Sequence, residues 1–468
     1  FSNGTGWMGS VREWRQSLDE ATAARAKAFD EIVEAHGIEG ALALLDRCDQ
    51  PRWVGEAVAQ SSAAASWRSD FIERGLASDD GPLWTAAAEV IGLLRAKEGG
   101  ADFVNGLLPA PGPQLDERAV GRLLHFLPAA PETWSAVETY GPSFEDRYWR
   151  NLAGWAVAEN KEETEHAIRR FNAADRAPAS LQLIGSRLEV DLDPKLIVET
   201  LHLALKTVHE ASEDTNEPVM RLHYLTRILA HLEAHPDVGD DVVVLLEWSY
   251  FRMLRYSERP SPVLHRELAR SPDFFLQVLT MAFLREDDDG GADEDLPGAP
   301  ATPEQRAAMA RHGYDVLEAW NRIPGADDKG RIDGAELERW VTEVRRRASE
   351  LGRSLPADLR IGRILGMSAK PPGEVWPPVA IREVLESAGS ETLEDAFVSG
   401  AYSSRGVITR DLREGGRKER TLSGRYRDHA KAMASEYPVT ARLLNHIADI
   451  YDGRAKREDD EVEERSWH

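Results

Sequence analysis

Apolar residues return at helical spacing along most of this chain, and this pattern constrains its fold more than any other feature. In the segments 197–208, 222–232 and 381–388 they recur every three or four positions, which places them on one stripe of a helix with about 3.6 residues per turn. Alternating apolar and polar stretches bounded by turns, as strands require, are almost absent. The sequence therefore predicts an all-α fold.

Helix starts are marked by a side-chain acceptor followed by proline. The acceptor satisfies a backbone N–H of the first turn, and proline suits the next position because its missing N–H would have no partner there. The four pairs are Asp193-Pro194, Ser261-Pro262, Ser271-Pro272 and Thr302-Pro303. Gln305 completes a capping box with Thr302. Short connections between successive helices predict antiparallel helical hairpins stacked as an irregular α-solenoid, although no clean repeat period is present.

A change in composition divides the chain at residues 286–302. This segment, EDDDGGADEDLPGAPAT, contains seven carboxylates, three glycines and two prolines. Its like charges and lack of apolar side chains favour a solvated, mobile connection. The alternative is an acidic segment that binds a basic partner. We therefore predict an N-terminal helical array at 1–285, an acidic flexible linker at 286–302 and a C-terminal helical domain at 303–468.

A second break lies at Lys370 to Pro378, KPPGEVWPP, where four prolines surround Trp376. Prolines at this density forbid a helix. We expect Trp376 to hold this loop against the core, and the alternative is a polyproline-like segment that a partner groove accepts.

Charge and cysteine content exclude several classes of function. The chain has 57 Lys and Arg against 81 Asp and Glu, a formal net charge of −24, which excludes a nucleic-acid surface spread over the whole molecule. Cys48 is the only cysteine, so an intrachain disulfide or a cysteine-based metal centre cannot form. We expect no cofactor, no membrane contact and a cytoplasmic location. The start at Phe1, without a signal peptide, and the scarcity of lysine predict a fragment of a larger bacterial protein.

Two short motifs imitate sites of known chemistry but lack essential parts. Gly4 to Gly9, GTGWMG, has the glycine spacing of a dinucleotide-binding loop without room for the strand that must precede it. His231 and His235 in HLEAH lie one helical turn apart, but Glu233 lies roughly 200° around the helix from His231. We therefore expect solvated histidines there, with a metal site as the minor alternative.

The stretch Gly325 to Glu336, GADDKGRIDGAE, imitates a calcium-binding loop. It has the glycine, isoleucine and final glutamate of that loop, but two of the expected oxygen ligands are missing. The sequence instead favours a helix–turn–helix connection that turns at Gly330 and uses Asp333 as the N-cap of the next helix. No catalytic, cofactor-binding or metal-binding residue is predicted.

The basic segment, residues 405–427, stands out within the acidic chain. Its eight cationic side chains face only three carboxylates. Such an excess needs anions, which are either acidic faces of the same molecule, nucleic-acid phosphates or a nucleotide, or a partner protein. Tyr402 and Tyr426 could stack on bases of a single strand. The candidate contact residues are Arg405, Arg410, Arg413, Arg417, Lys418, Arg420, Arg425 and Arg427.

From about Leu222 onward the order of segments resembles the C-terminal helical region of very large bacterial multidomain proteins of unassigned role. The residues that carry this resemblance are VLHRELARSPDFF (263–275), the stretch from GRILG to VWPP (362–378), SGAYSSRGV (399–407), and EGG (414–416) followed by YRDHAKAMASEYPVTARLLNHIADIYD (426–452). Some such proteins are similar to NTPases of antiviral defence, in which a helical C-terminal part senses a target. The resemblance implies no catalytic residue.

Three hypotheses of function follow. The first is a non-catalytic helical scaffold that binds a protein partner or other domains of the same chain, as the sensor arm of a defence system. The second is a module that responds to nucleic acid through residues 405–427. The third is an enzyme whose site is assembled from distant helices, although the absence of catalytic motifs disfavours it.

Overall fold

The computed structural model describes residues 11–97, 99–112, 116–154, 160–206, 217–286, 302–370, 373–404 and 415–466. These residues form 22 α-helices and no strand, so the all-α prediction is confirmed. Within them, one isolated antiparallel bridge pairs Ala326 with Ile332. None of the described helices has both the length and the apolar character to cross a membrane. The motif Gly4 to Gly9 lies outside the described residues.

The chain divides into two compact units, unit 1 from Phe1 to His231 and unit 2 from Leu232 to His468. Unit 1 contains α1 (Val11–Leu45), α2 (Pro51–Gln60), α3 (Arg68–Ala77), α4 (Gly81–Lys97), α5 (Ala101–Leu107), α6 (Glu117–Leu124), α7 (Pro131–Tyr140), α8 (Pro142–Asn151), α9 (Lys161–Ala173), α10 (Ala177–Ser186), α11 (Pro194–Ala204) and most of α12 (Glu217–Ala234).

Unit 1 packs its helices in chain order. The pairs with the most extensive contact, such as α2 with α4 and α9 with α10, are no more than three places apart in the chain. Part of the core is aromatic: the buried Trp149 ring lies 5.5 Å from that of Trp134 and 5.4 Å from that of Phe171. Rings of this size bury large apolar areas, so a few of them stabilise a short helix that could not stand alone.

Unit 2 contains α13 (Asp240–Leu254), α14 (Pro262–Arg270), α15 (Pro272–Ala282), α16 (Pro303–Ala319), α17 (Gly334–Glu350), α18 (Ser354–Gly366), α19 (Val379–Ala388), α20 (Glu391–Ser403), α21 (Arg417–Met433) and α22 (Pro438–Ser466). Here too the most extensively packed pairs lie within three places of each other in the chain, with α18 on α20 and α21 on α22 foremost.

Helices α18 and α20 approach backbone to backbone because glycines face each other. A Cβ added at Gly362 would stand 2.1 Å from the carbonyl oxygen of Leu393, and one added at Gly366 would stand 2.1 Å from that of Phe397. From the other side, a Cβ on Gly400 would stand 2.2 Å from the carbonyl oxygen of Arg363. No side chain larger than hydrogen fits at these positions, so the glycine spacing sets the distance between the two helices.

All four helix starts predicted from proline are confirmed, since α11, α14, α15 and α16 begin at the expected residues. Asp193 and Ser271 accept backbone N–H bonds as N-caps, and Thr302 forms the capping box with Gln305. Ser261 differs. Its φ of 50° is left-handed, whereas an N-cap residue normally adopts an extended conformation, and its hydroxyl does not cap α14.

The acidic segment 286–302 falls within unit 2, and its residues 287–301 lie outside the described residues. The helices that flank it, α15 and α16, pack on each other. The division into domains at this segment stays a prediction.

Candidate functional site

The described part of the basic segment, residues 415–427, leads into α21 and contains Arg417, Lys418, Arg420, Arg425 and Arg427. Residues 405–414 lie outside the described residues, and with them the predicted contacts Arg405, Arg410 and Arg413. The structure therefore places five of the eight candidate side chains on one helix.

Two of these arginines bind carboxylates of α22. Arg420 pairs with Asp459, and Arg427 Nη2 lies 2.8 Å from Asp449 and 2.7 Å from Asp452. The hydrogen bonds from Arg420 and from the backbone N–H of Gly416 lower the pKa of Asp459. These guanidinium groups are thus neutralised within unit 2.

The other three described cations of the basic segment are Arg417, Lys418 and Arg425. Arg417 and Lys418 also have interaction partners, and Arg425 is exposed. A signal for the observed pairing is present in the sequence, because Asp449, Asp452 and Asp459 fall on one face of a helix. Nucleic-acid contact through residues 405–427 stays a prediction.

The two tyrosines considered for base stacking are engaged inside unit 2. Tyr426 is 5% exposed, and its ring stacks on that of Tyr451 at 5.7 Å between centroids. The Tyr402 ring also packs on Tyr451, and the Tyr402 hydroxyl accepts a hydrogen bond from Arg454. The Tyr426 ring is not exposed for base stacking, because Tyr451 stacks on it and Trp376 meets it edge-to-face at 5.8 Å.

Trp376 holds its loop to the core, as predicted. Its ring is 3% exposed and stacks on Phe397, and its indole N–H donates to Ser368 Oγ at 2.9 Å. Beside it, Lys370 Nζ donates to the hydroxyl of Tyr426 at 2.9 Å and lies 4.8 Å from the centre of the Trp376 ring. Burial of this amino group lowers the pKa of Lys370 to about 8.

The calcium-like stretch forms the predicted turn. Gly330 has a φ of 76°, and Asp333 accepts the Glu336 N–H at 3.1 Å as N-cap of α17. The Asp327 carboxylate accepts the backbone N–H of Arg331 at 2.9 Å and that of Lys329 at 2.8 Å, which lowers its pKa. Carboxylate oxygens of Asp327 and Asp333 are thus engaged in hydrogen bonds to backbone N–H groups of the turn and of α17.

Glu233, the acid of the HLEAH motif, binds two arginines. It pairs with Arg259 at 2.5 Å and with Arg266 at 3.3 Å. His235 accepts the backbone N–H of Asp237 at 3.2 Å. Within the described parts of the chain, no group of three or more His, Cys, Asp or Glu side chains is arranged to hold a metal ion.

Sequence reasoning missed an exposed apolar surface on unit 2, which we call the apolar surface. We define it by four exposed side chains, Leu284 (65% exposed), Leu355 (56%), Tyr314 (44%) and Leu359 (41%), together with the partly buried Phe283. The Phe283 and Tyr314 ring centroids are 6.0 Å apart, and Leu355 and Leu359 lie one turn apart on α18. Several large apolar side chains gathered in one place are unusual on a protein that acts alone.

Two buried arginines, Arg353 and Arg360, contact residues of the apolar surface. Arg353 is fully buried, and its Nε donates to the carbonyl oxygen of Phe283 at 2.9 Å. Arg360 lies 4.8 Å from the centre of the Tyr314 ring and 5.6 Å from that of Phe283. Arg360 is itself held by Glu318 at 2.5 Å. Burial alone would raise the pKa of Glu318, but its hydrogen bonds from Arg360 and Arg363 lower it overall.

The segment that follows α15 and carries Leu284 is also fixed at Glu286. The backbone N–H of Glu286 donates to the carbonyl oxygen of Gly352 at 2.8 Å. The carboxylate of Glu286 accepts the backbone N–H of Leu355 at 2.7 Å. The surface is therefore held by hydrogen bonds on both sides of Leu284.

Comparison with known proteins finds no matching family model, no matching curated protein and no matching solved structure.

Proposed function

We propose that this chain is a non-catalytic helical module that binds a protein partner through the apolar surface of unit 2. The observation that carries the proposal is the exposure of four large apolar side chains in one part of unit 2, namely Leu284, Tyr314, Leu355 and Leu359. Exposed apolar side chains of this kind lose contact with water when a partner covers them, which is the main favourable term in protein association. Tyrosine beside arginine is also a frequent composition of binding hot spots.

The rigidity of the apolar surface supports the same proposal. Binding is weakened when loose side chains and loops must be ordered, so a surface that is already fixed favours affinity. Here Arg353 fixes the carbonyl of Phe283, Arg360 lies under two rings, and Glu286 ties residue 284 to the start of α18. The partner we propose presents an apolar face of matching size.

The packing of helices supports a stacked array as the frame of this module. In each unit the most extensively packed helices are close in chain order, as in an irregular α-solenoid, where each element contacts its neighbours. We propose that such an array serves as the sensor arm of a larger bacterial defence protein in the cytoplasm. The arginine-rich composition, the single cysteine and the sequence resemblance from Leu222 onward support this setting.

The proposal is tested with a double variant, Leu355→Glu with Leu359→Glu, in the affinity-tagged full chain. Both residues are exposed, so the variant is expected to fold while two carboxylates make the surface unable to enter an apolar interface. The wild type is expected to retain a protein from a lysate of the native host that the double variant loses. Binding of that protein is then measured with purified components, where we expect at least about a tenfold loss of affinity.

Val379→Glu serves as the matched control, because Val379 is 51% exposed on α19 and takes no part in the contacts that define the apolar surface. It is expected to bind the partner like the wild type. Equal retention by all three proteins would contradict the proposal. Self-association of the wild type that the double variant abolishes would also overturn it, since the occupant of the surface would then be a second copy of the chain.

A further inference from the structure

A basic cavity of about 620 Å³ lies in unit 1 among α4, α6 and α8. Three arginines and a histidine line it, namely Arg118, Arg122, Arg147 and His125. Asp79 is the only carboxylate among its described lining residues. In a chain with a net charge of −24, this local excess of positive charge is conspicuous and attracts anions.

The three guanidinium groups are close enough to affect one another. Burial lowers the pKa of Arg122, and the charges of Arg118 and Arg147 act in the same direction, while Asp79 and Asp116 oppose them. Like charges that are held together repel, and an anion placed among them would relieve the repulsion.

Two of these arginines have partners within unit 1. Arg122 Nη1 donates to the carbonyl oxygens of Leu76 at 2.8 Å and Ser78 at 2.9 Å, and its guanidinium lies 4.4 Å from the centre of the Trp84 ring. Arg118 forms an ion pair with Asp79. Arg122 is thus anchored before any ligand arrives, whereas Arg118 takes part in an ion pair that is exposed to solvent.

Arg147 is the arginine that remains for a ligand. It is exposed, and its side chain has no ion-pair or hydrogen-bond partner among the residues that the structure describes. It lies across Gly121, where an added Cβ would stand 2.8 Å from Arg147 Cδ. The absence of a side chain at position 121 therefore lets Arg147 lie along the lining of the cavity.

The wall beside these charges is aromatic. Trp84 and Phe126 both line the cavity, with ring centroids 6.2 Å apart in an edge-to-face arrangement. A ligand that suits the whole cavity combines an anionic group with an apolar or aromatic part. A phosphate suits the charged end, because a guanidinium group donates two parallel hydrogen bonds to it.

We propose that this cavity binds a small phosphorylated molecule, with Arg147 contacting the phosphate and with Trp84 and Phe126 forming the apolar wall. Asp79 weakens phosphate binding, since it neutralises Arg118 and repels the dianion. The site is separate from the apolar surface of unit 2, so neither proposal depends on the other.

The test is calorimetric titration of the full chain with inorganic phosphate, phenyl phosphate and phenol at physiological salt. Phosphate and phenyl phosphate are expected to bind, phenyl phosphate several-fold tighter because its ring meets the aromatic wall. Phenol, which lacks the phosphate, is expected not to bind. Saturation by phenyl phosphate is also expected to change the tryptophan fluorescence, because Trp84 lines the cavity.

Arg147→Gln is expected to weaken phenyl phosphate binding at least about tenfold, since a charged hydrogen-bonding group is removed. Arg150→Gln is the matched control on the same helix, because Arg150 is paired with Asp146 and does not line the cavity. Asp79→Asn is expected to bind several-fold tighter than the wild type. No binding of either phosphate probe, or an equal loss in the Arg147 and Arg150 variants, would overturn the proposal.

Discussion

The backbone N–H of Leu264 donates to Glu247 Oε2 over 2.7 Å, so a carboxylate from α13 satisfies the first turn of α14. Ser261, the residue in the N-cap position, leaves its buried hydroxyl without a partner among the described residues. Glu247 is fully buried and also pairs with Arg259 at 2.5 Å. Burial raises the pKa of Glu247, while Arg259 and the Leu264 N–H oppose this shift.

Glu247→Ala is expected to lower the free energy of unfolding by about 3–5 kcal/mol, because it leaves Arg259 without a buried partner and the Leu264 N–H unsatisfied. Urea titration followed by tryptophan fluorescence measures the change. Glu233→Ala is the comparison, since Glu233 binds the same arginine but is partly exposed. Its expected cost is about 1 kcal/mol. An equal or larger cost for Glu233→Ala would show that Glu247 is not the main anchor.

The glycines of α18 and α20 yield a second prediction. Gly366→Ala places a Cβ 2.1 Å from the carbonyl oxygen of Phe397, so the helices must separate. We expect a loss of about 3 kcal/mol or more in the free energy of unfolding.

Gly424→Ala on α21 is the matched control for this substitution. A Cβ at Gly424 meets no atom within 4 Å, so alanine there is expected to stabilise the chain by about 0.5–1 kcal/mol through its better helix propensity. Thermal unfolding of both variants distinguishes the two effects by their sign. If Gly366→Ala melted at or above the wild-type temperature, the close contact between α18 and α20 would be disproved.

The features that were predictable from the sequence are local ones. Helical class, the starts at proline, and the turn with Asp333 as N-cap each depend on a few consecutive residues and on rules of backbone geometry. Ser261 shows the limit of such rules. It has the residue type and position of a cap, but the acceptor for Leu264 comes from Glu247, seventeen residues earlier, and only the packing of α13 on α14 brings the two together.

The apolar surface was not predictable for a related reason. Leu355 and Leu359 have the same spacing as the core stripes of other helices, and the sequence does not show which stripes a neighbour covers.

For the basic segment, the sequence showed the charged residues but not their partners. Its positive charge was evident, but its described counter-charges Asp449, Asp452 and Asp459 lie 22 to 39 residues away along the chain, and they meet it only because α21 packs on α22.

Lys370 gives a prediction for alkaline pH. Its pKa is lowered to about 8 in the folded chain because its amino group is buried, whereas an unfolded lysine titrates near 10.4. Between these values the unfolded state binds more protons, so the free energy of unfolding contributed by this group rises as the pH increases from 8 toward 10. One proton sets an upper limit of about 1.4 kcal/mol per pH unit. The contribution is expected to be smaller, because Lys370 as a whole residue is exposed to solvent even though its amino group packs against Trp376 and Tyr426.

Lys370→Met is expected to remove this contribution. Urea titrations of the wild type and the variant at pH 7.5, 8.5 and 9.5 provide the measurement, and the difference between the two proteins cancels the titration of the other lysines and of most tyrosines. The stability of the wild type relative to the variant is expected to increase with pH. A difference that stays constant or decreases would contradict the lowered pKa.

His265 gives the corresponding prediction on the acid side. It is 2% exposed, and its burial lowers its pKa even though Nδ1 lies 2.9 Å from Asn321 Oδ1. Because the unfolded imidazole titrates near 6.5, the unfolded state binds more protons just below that pH, and stability is lost as the pH falls from 7 to 5.5. His265→Gln keeps a side chain that can bond Asn321 but does not titrate, so its free energy of unfolding is expected to fall less over this range. Urea titrations at pH 7.0, 6.2 and 5.5 compare the two proteins, and a slope as steep in the variant as in the wild type would assign the acid sensitivity to groups other than His265.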